Sequence, residues 1–260
     1  MGLNLDAIKA KLNQLNRSDD RRNNLWKPEA GKTRVRIVPY VHRKDNPFLE
    51  LYFHYDIAKR SMLSPVSFGN ADPVVEFAEK LKKTGDKEDW LMGRKIEPKM
   101  RTYVPVIVRG KEADGVKFWG FGKTIYTELL SIVSDPDYGD ITDLMNGRDI
   151  DVEFTPAEGG GYPKTAIRVK PNTSAATEDK GIAEKIMNQP QITDIFPEPT
   201  YEELENALKE WMNPENADSD VETTSNTATD TNAKSEEKPA AATTEKKTDV
   251  ASAFNDLFNQ

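Results

Sequence analysis

The sequence has no cysteine and only two histidines in 260 residues. Without thiols there is no disulfide, no thiolate zinc ligand and no need for an oxidising compartment. His42 and His54 have no cysteine or Ser/Asp set near them in sequence, so neither reads as the base of a nucleophile pair; a lone histidine in a strand is structural. Long apolar runs are also missing. None approaches the roughly 18 residues of a membrane span, and the N-terminus lacks a signal-peptide core, so the expectation is a soluble cytoplasmic protein with no membrane partner. Met1-Gly2 does not make a myristoylation site, because Asp6 stands where that motif requires Ser or Thr. Gly31-Lys-Thr33 and Gly122-Lys-Thr124 echo the end of a phosphate-binding loop, but Trp26 and Lys117 occupy the positions of the required first glycine. Carboxylate pairs such as Asp19-Asp20 and Glu202-Glu203 fall in solvated stretches and make poor acid/base candidates. No catalytic constellation remains, and the chain reads as a non-enzyme with no cofactor and no metal.

What is present is charge, unevenly placed. Residues 1–124 hold 25 Lys+Arg against 16 Asp+Glu, whereas the rest of the chain holds 11 against 28. One half can hold a polyanion and the other imitates one. The hydrophobic fraction of 37% beside 31% charged residues is lean for a fully folded chain of this length.

Three segments follow. Residues 1–22 form a basic amphipathic arm: Leu5, Ile8, Leu12 and Leu15 make one apolar stripe, with Lys9 and Lys11 beside it, and this set is the candidate self-association surface. Residues 23–212 read as a β-rich core. Thr33–Val38 alternates, with Val35 and Ile37 on one face and Lys32, Arg34 and Arg36 on the other. Further strands are expected over 49–57, 102–108 and 116–121, then a helix over 124–133, then a hairpin of 149–154 and 164–170 around Glu158-Gly-Gly-Gly161. An insertion of about 58–95 carries the amphipathic run Val74–Leu81 and a charged turn at 82–87, and a helix over 201–212 closes the core. The fold class is mainly β with helical additions: an OB-fold core, that is, a small Greek-key barrel, with an inserted helical subdomain. Residues 213–260 form an acidic tail of a composition that predicts disorder, ending in a tip where Phe254, Leu257 and Phe258 suit a partner-binding peptide.

The segment Gly115-Val-Lys-Phe-Trp-Gly-Phe-Gly-Lys-Thr124 sets aromatic rings among lysines. As a strand it puts Lys117, Trp119, Phe121 and Lys123 on one face. Bases of single-stranded nucleic acid stack on aromatic rings while Lys and Arg follow the phosphates. Arg34, Arg36, Arg101, Tyr103, Tyr162 and Arg168 complete the candidate nucleic-acid set. The competing reading is an aromatic core with solvated lysines at its margin.

Leu25-Trp-Lys-Pro-Glu-Ala-Gly-Lys-Thr-Arg-Val-Arg-Ile-Val-Pro39, Tyr103-Val-Pro-Val-Ile-Val108 and Phe118-Trp-Gly-Phe-Gly-Lys123 occur in an order that resembles the single-stranded DNA-binding (helix-destabilising) replication proteins of T-even-type bacteriophages. The resemblance spans roughly residues 1–170. It implies an OB-fold core binding single-stranded DNA without sequence preference, a basic arm for cooperative self-association, and an acidic tail that recruits phage replication, recombination and repair proteins in the bacterial cytoplasm. Members of that family commonly carry a zinc site in the insertion; here Ser64, Asp72 and Val75 fall where its thiolates are expected. Serine and valine are not zinc ligands of any strength, so the insertion is expected to be zinc-independent and held by packing of Phe68, Val74, Phe77 and Leu81. A single-stranded RNA-binding regulator would use the same aromatic–basic face, and a pure assembly protein would use only arm and tail.

Overall fold

The computed structural model describes residues 23–43 and 45–212. The arm residues Leu5, Ile8, Lys9, Lys11, Leu12 and Leu15 and the tip residues Phe254, Leu257 and Phe258 lie outside the described residues. The strands are β1 (Leu25–Trp26), β2 (Gly31–Ile37), β3 (Leu49–His54), β4 (Met62–Leu63), β5 (Lys99–Val108), β6 (Lys117–Phe121), β7 (Gly147–Thr155) and β8 (Lys164–Ser174). The helices are α1 (Pro73–Lys83), α2 (Lys87–Ile96), α3 (Lys123–Val133), α4 (Lys180–Met187), α5 (Ile192–Ile195) and α6 (Tyr201–Met212). The architecture is mainly β with helical additions. It divides into two units, one built from residues 23–53 and 100–198 and the other from 54–99 and 199–212.

In the first unit the sheet runs β1-β6-β5-β2-β7-β8, with β3 paired to β5. Every pairing whose register is defined is antiparallel except β1 on β6. Register decides the faces. Val35 lies opposite Val108 and Ile150, and Val104 lies opposite Trp119, so these side chains share one face. That face is the main core, closed by Ile125, Tyr126 and Leu129 of α3 together with Phe48 and Ile141.

The opposite face is covered too. Ile107 packs there with Val38, Val116, Ala176 and Ile186, so the segment after β8 crosses the middle of the sheet. Gln189 donates to the Pro39 carbonyl at 2.8 Å, and the Ile192 N–H donates to the Tyr40 hydroxyl at 3.0 Å, which fastens that crossing to the end of β2.

The second unit is helical. Val74, Phe77, Ala78 and Leu81 of α1 pack with Ile96 of α2 and with Leu204 and Leu208 of α6. The insertion therefore acquires α6 as part of its core. It also contains α2, where the sequence reading has only a charged turn and no helix. Phe68, expected inside, is 40% exposed.

Packing is joined by a buried polar cluster that the reading of the insertion does not anticipate. Asp72 caps α1, its Oδ1 accepting from the Val74 and Val75 N–H groups at 2.9 and 3.3 Å. Its Oδ2 accepts from the Ser64 hydroxyl and lies 2.9 Å from His54 Nε2. His54 Nδ1 lies 2.9 Å from the Ile96 carbonyl, which can only accept, so this nitrogen donates. Burial alone would raise the Asp72 carboxyl, but His54, Ser64 and the Val74 N–H outweigh burial and hold it below the usual carboxylate range.

Two outcomes follow from this packing. Trp119, 1% exposed in the main core, should cost about 3–5 kcal/mol of urea-unfolding stability as Trp119→Ala; a loss below about 1 kcal/mol would contradict its burial. The second concerns acid. A carboxyl held low in the folded state supplies stability above its unfolded pKa of about 4, and that stability is lost as pH falls through the folded value. Thermal midpoints measured between pH 6 and pH 3 should therefore drop more steeply in the wild type than in Asp72→Asn. Parallel curves would remove Asp72 from the acid response.

Candidate nucleic-acid interface

The sequence-predicted residues do not form one face. Trp119 and Phe121 are 1% and 4% exposed and lie in the main core, with Trp26 edge-on to Trp119 at 5.6 Å and Phe121 at 4.7 Å. This corrects their assignment as stacking residues: the alternation is right, but the face they share is covered by α3. Lys117 is at the margin of that face and donates to the Asn23 carbonyl. Tyr103 points the other way, because it lies opposite Gly120 while Val104 lies opposite Trp119. Arg101 shares the Tyr103 side of β5. Lys123 is exposed at the first turn of α3.

Arg36 is the second correction. It is fully buried, with Nε 2.9 Å from Asp149 Oδ1, Nη1 donating to the Ser174 carbonyl at 2.8 Å and Nη2 to the Ser174 hydroxyl at 2.6 Å. Arg109 joins it, pairing with Asp149 at 2.9 Å and donating to the carbonyls of Ala175 and Ala176. Burial lowers the Arg36 pKa from its ordinary value against the opposing pull of Asp149. This pair holds the crossing segment.

Two residues further out along β2 the same register builds an open site. Arg34 lies opposite Asp151, and Asp151 lies opposite Arg168 on β8. The Asp151 carboxylate is 3% exposed and pairs with Arg34 at 2.8 Å and with Lys32 and Lys170 at 2.9 Å each. Burial alone would raise Asp151, but the hydrogen bonds from Arg34, Lys170 and Lys32 prevail and hold it far below the usual carboxylate range. One buried anion thus gathers three cations whose side chains stay 32–55% exposed. Arg168 is exposed beside them and makes no ion pair among the described residues. Lys164 follows on the same face of β8 by alternation.

Tyr162, 58% exposed, lies in the loop that joins β7 and β8. Gly159 and Gly160 turn that loop with φ of 57° and 84°, a region that only glycine enters freely. Of the predicted set, the structure brings together Arg34 and Arg168, with Tyr162 on the same hairpin. Lys32, Lys170 and Asp151 complete the site and are absent from that set. The alternation Asp149-Ile-Asp151 set against Arg34-Val-Arg36 is the signal that points to them.

Removing the Asp151 charge leaves three cations facing one another. Asp151→Asn should lower the thermal midpoint most at low salt, and added salt should narrow the gap to wild type by screening; a salt-independent gap would mean that packing, not charge, is what Asp151 contributes.

Among the described residues no helix is long and apolar enough to cross a membrane, and no group of three or more His/Cys/Asp/Glu could hold a metal ion. Compared with known proteins, the chain matches no family model and no curated protein.

Proposed function

We propose that this chain is a non-enzymatic protein that binds single-stranded DNA without sequence preference. The observation that carries the reading is the exposed cationic face of β2, β7 and β8, where Lys32, Arg34, Lys164, Arg168 and Lys170 outnumber Asp151 and Glu153. Such a face follows a phosphate backbone and carries no base-reading pattern. Tyr162 at the end of the same hairpin supplies a stacking surface, which accepts any base.

An OB-fold core is the finer form of the architecture that we propose. It is supported by the placement of α3 between the first strands and the β7–β8 hairpin, and by the hairpin loop, since loops of this kind and the adjoining strands bind oligonucleotides in that fold. The resemblance to T-even-type phage proteins adds the biological setting: coating and protecting single strands in the bacterial cytoplasm during phage DNA replication, recombination and repair, independently of zinc. In that setting the basic arm of residues 1–22 serves cooperative self-association and the acidic tail of 213–260 recruits replication and recombination proteins. An RNA-binding regulator would use the same cationic hairpin, so competition between DNA and RNA of equal length distinguishes the two.

The test is anisotropy of labelled oligo-dT. With about four phosphates engaged, log K should fall by roughly 1.7 between 50 and 200 mM salt, and Arg168→Ala should flatten the slope by about 0.7. Salt-independent binding, or an unchanged slope in Arg168→Ala, would sink the cationic-face reading.

A further inference from the structure

Tyr103 and Gly120 are directly opposed on β5 and β6. A Cβ built on Gly120 would lie 2.6 Å from Tyr103 Cε1, 3.0 Å from Cζ and 3.1 Å from Cδ1. The tyrosine ring therefore occupies the space in which any residue 120 side chain would stand. Gly120 is not one of the positive-φ glycines, so its backbone conformation does not call for glycine. What the position needs is the missing side chain.

The ring is held from other directions as well. Phe196 lies 4.9 Å from it, Phe53 lies 6.1 Å from it, and Phe53 and Phe196 meet edge-on at 5.2 Å. Phe53 is buried, whereas Tyr103, Gly120 and Phe196 are half-buried, so the cluster reaches the surface. Phe196 brings the end of the segment after β8 into this cluster. Arg101, two residues along β5, puts a cation on the same side of the strand.

We propose that Gly120 is a positioning residue that seats Tyr103 across β6 as a fixed stacking plate for an unpaired base of single-stranded nucleic acid. This deepens the reading above and rests on it. A ring already confined to one orientation loses little rotamer freedom when a base stacks on it, so more of the stacking energy appears as affinity. A methyl at position 120 drives the ring off the backbone and restores that loss, without changing any charge.

The experiment is a double-mutant cycle on oligo-dT binding with wild type, Gly120→Ala, Tyr103→Ala and the double variant. Gly120→Ala should weaken binding about tenfold while leaving the slope of log K against log salt unchanged, because no phosphate contact is lost. Tyr103→Ala should weaken it at least as much, and the double variant should bind no more weakly than Tyr103→Ala. Gly120→Ala binding like wild type, or losses that multiply in the double variant, would overturn the role of Gly120. If Gly120→Ala does not fold, the double variant decides: removal of the ring should restore folding and give the affinity of Tyr103→Ala, and a double variant that stays unfolded overturns the proposal. A wild type that ignores oligo-dT rejects the parent reading and this one together, whereas a binding wild type with an unaffected Gly120→Ala rejects this one alone.

Discussion

Charge neutralisation between β2 and β7 is the interaction on which the first unit depends. β2 presents Val35 and Ile37 to the core, and alternation then forces Arg34 and Arg36 to the other face. The crossing segment covers Arg36 completely, and a buried guanidinium is tolerated only with its donors satisfied. Asp149 and Ser174 accept those donors, and Arg109, which shares Asp149 and donates to the Ala175 and Ala176 carbonyls, completes the hold on residues 174–176. The same alternation, two residues away and beyond the cover, leaves Arg34, Lys32 and Lys170 in water around Asp151. One pattern thus yields a structural ion pair where the face is covered and a cationic surface where it is open.

The strands were legible because their signals are local. β2, β3, β5, β6, β7 and β8 fall where alternation and turn residues put them, and α3 and α6 follow apolar spacing. α2 was not legible: Trp90 and Leu91 are both exposed, so its sequence carries a weak apolar stripe. The site was half legible. Alternation states which residues share a face, but it does not state which face is covered, and a sheet buried on both sides defeats that inference. Trp119 and Phe121 were read as a binding face for this reason. The lysines beside them are marginal residues at the ends of a core strand, which is the competing reading of that stretch.

In the second unit a buried polar cluster works beside the apolar packing. His54, Ser64, Asp72 and the Ile96 carbonyl tie the end of β3, the turn before α1, the N-terminus of α1 and the C-terminus of α2 into one hydrogen-bonded knot. Its members resemble a hydrolase triad by type only. Ser64 donates to the Asp72 carboxylate and not to the imidazole, so the serine–histidine contact of such a triad is not made, and all three side chains are buried. A directional knot of this kind fixes orientation, which apolar packing of α1, α2 and α6 does not do alone.

The two proposed patches, the cationic hairpin and the ring on Gly120, are separated on the sheet by residues that the segment after β8 covers. From Tyr103 on β5 to Arg109, which follows that strand and donates its N–H to the Arg34 carbonyl, the chain runs six residues, about 20 Å at the rise of a strand. Between them Ile107 and Arg36 are covered. In the proposed function the cationic hairpin would contribute charge, which salt screens, and the ring seated on Gly120 would contribute stacking, which depends on shape. Non-specific recognition needs both kinds of contact, since charge alone holds duplex as well as single strand and stacking alone holds any exposed ring system. On that proposal selectivity for single strands would rest with the aromatic patch, since only an unpaired base has a free face to offer, and the salt-dependent share of affinity would rest with the hairpin.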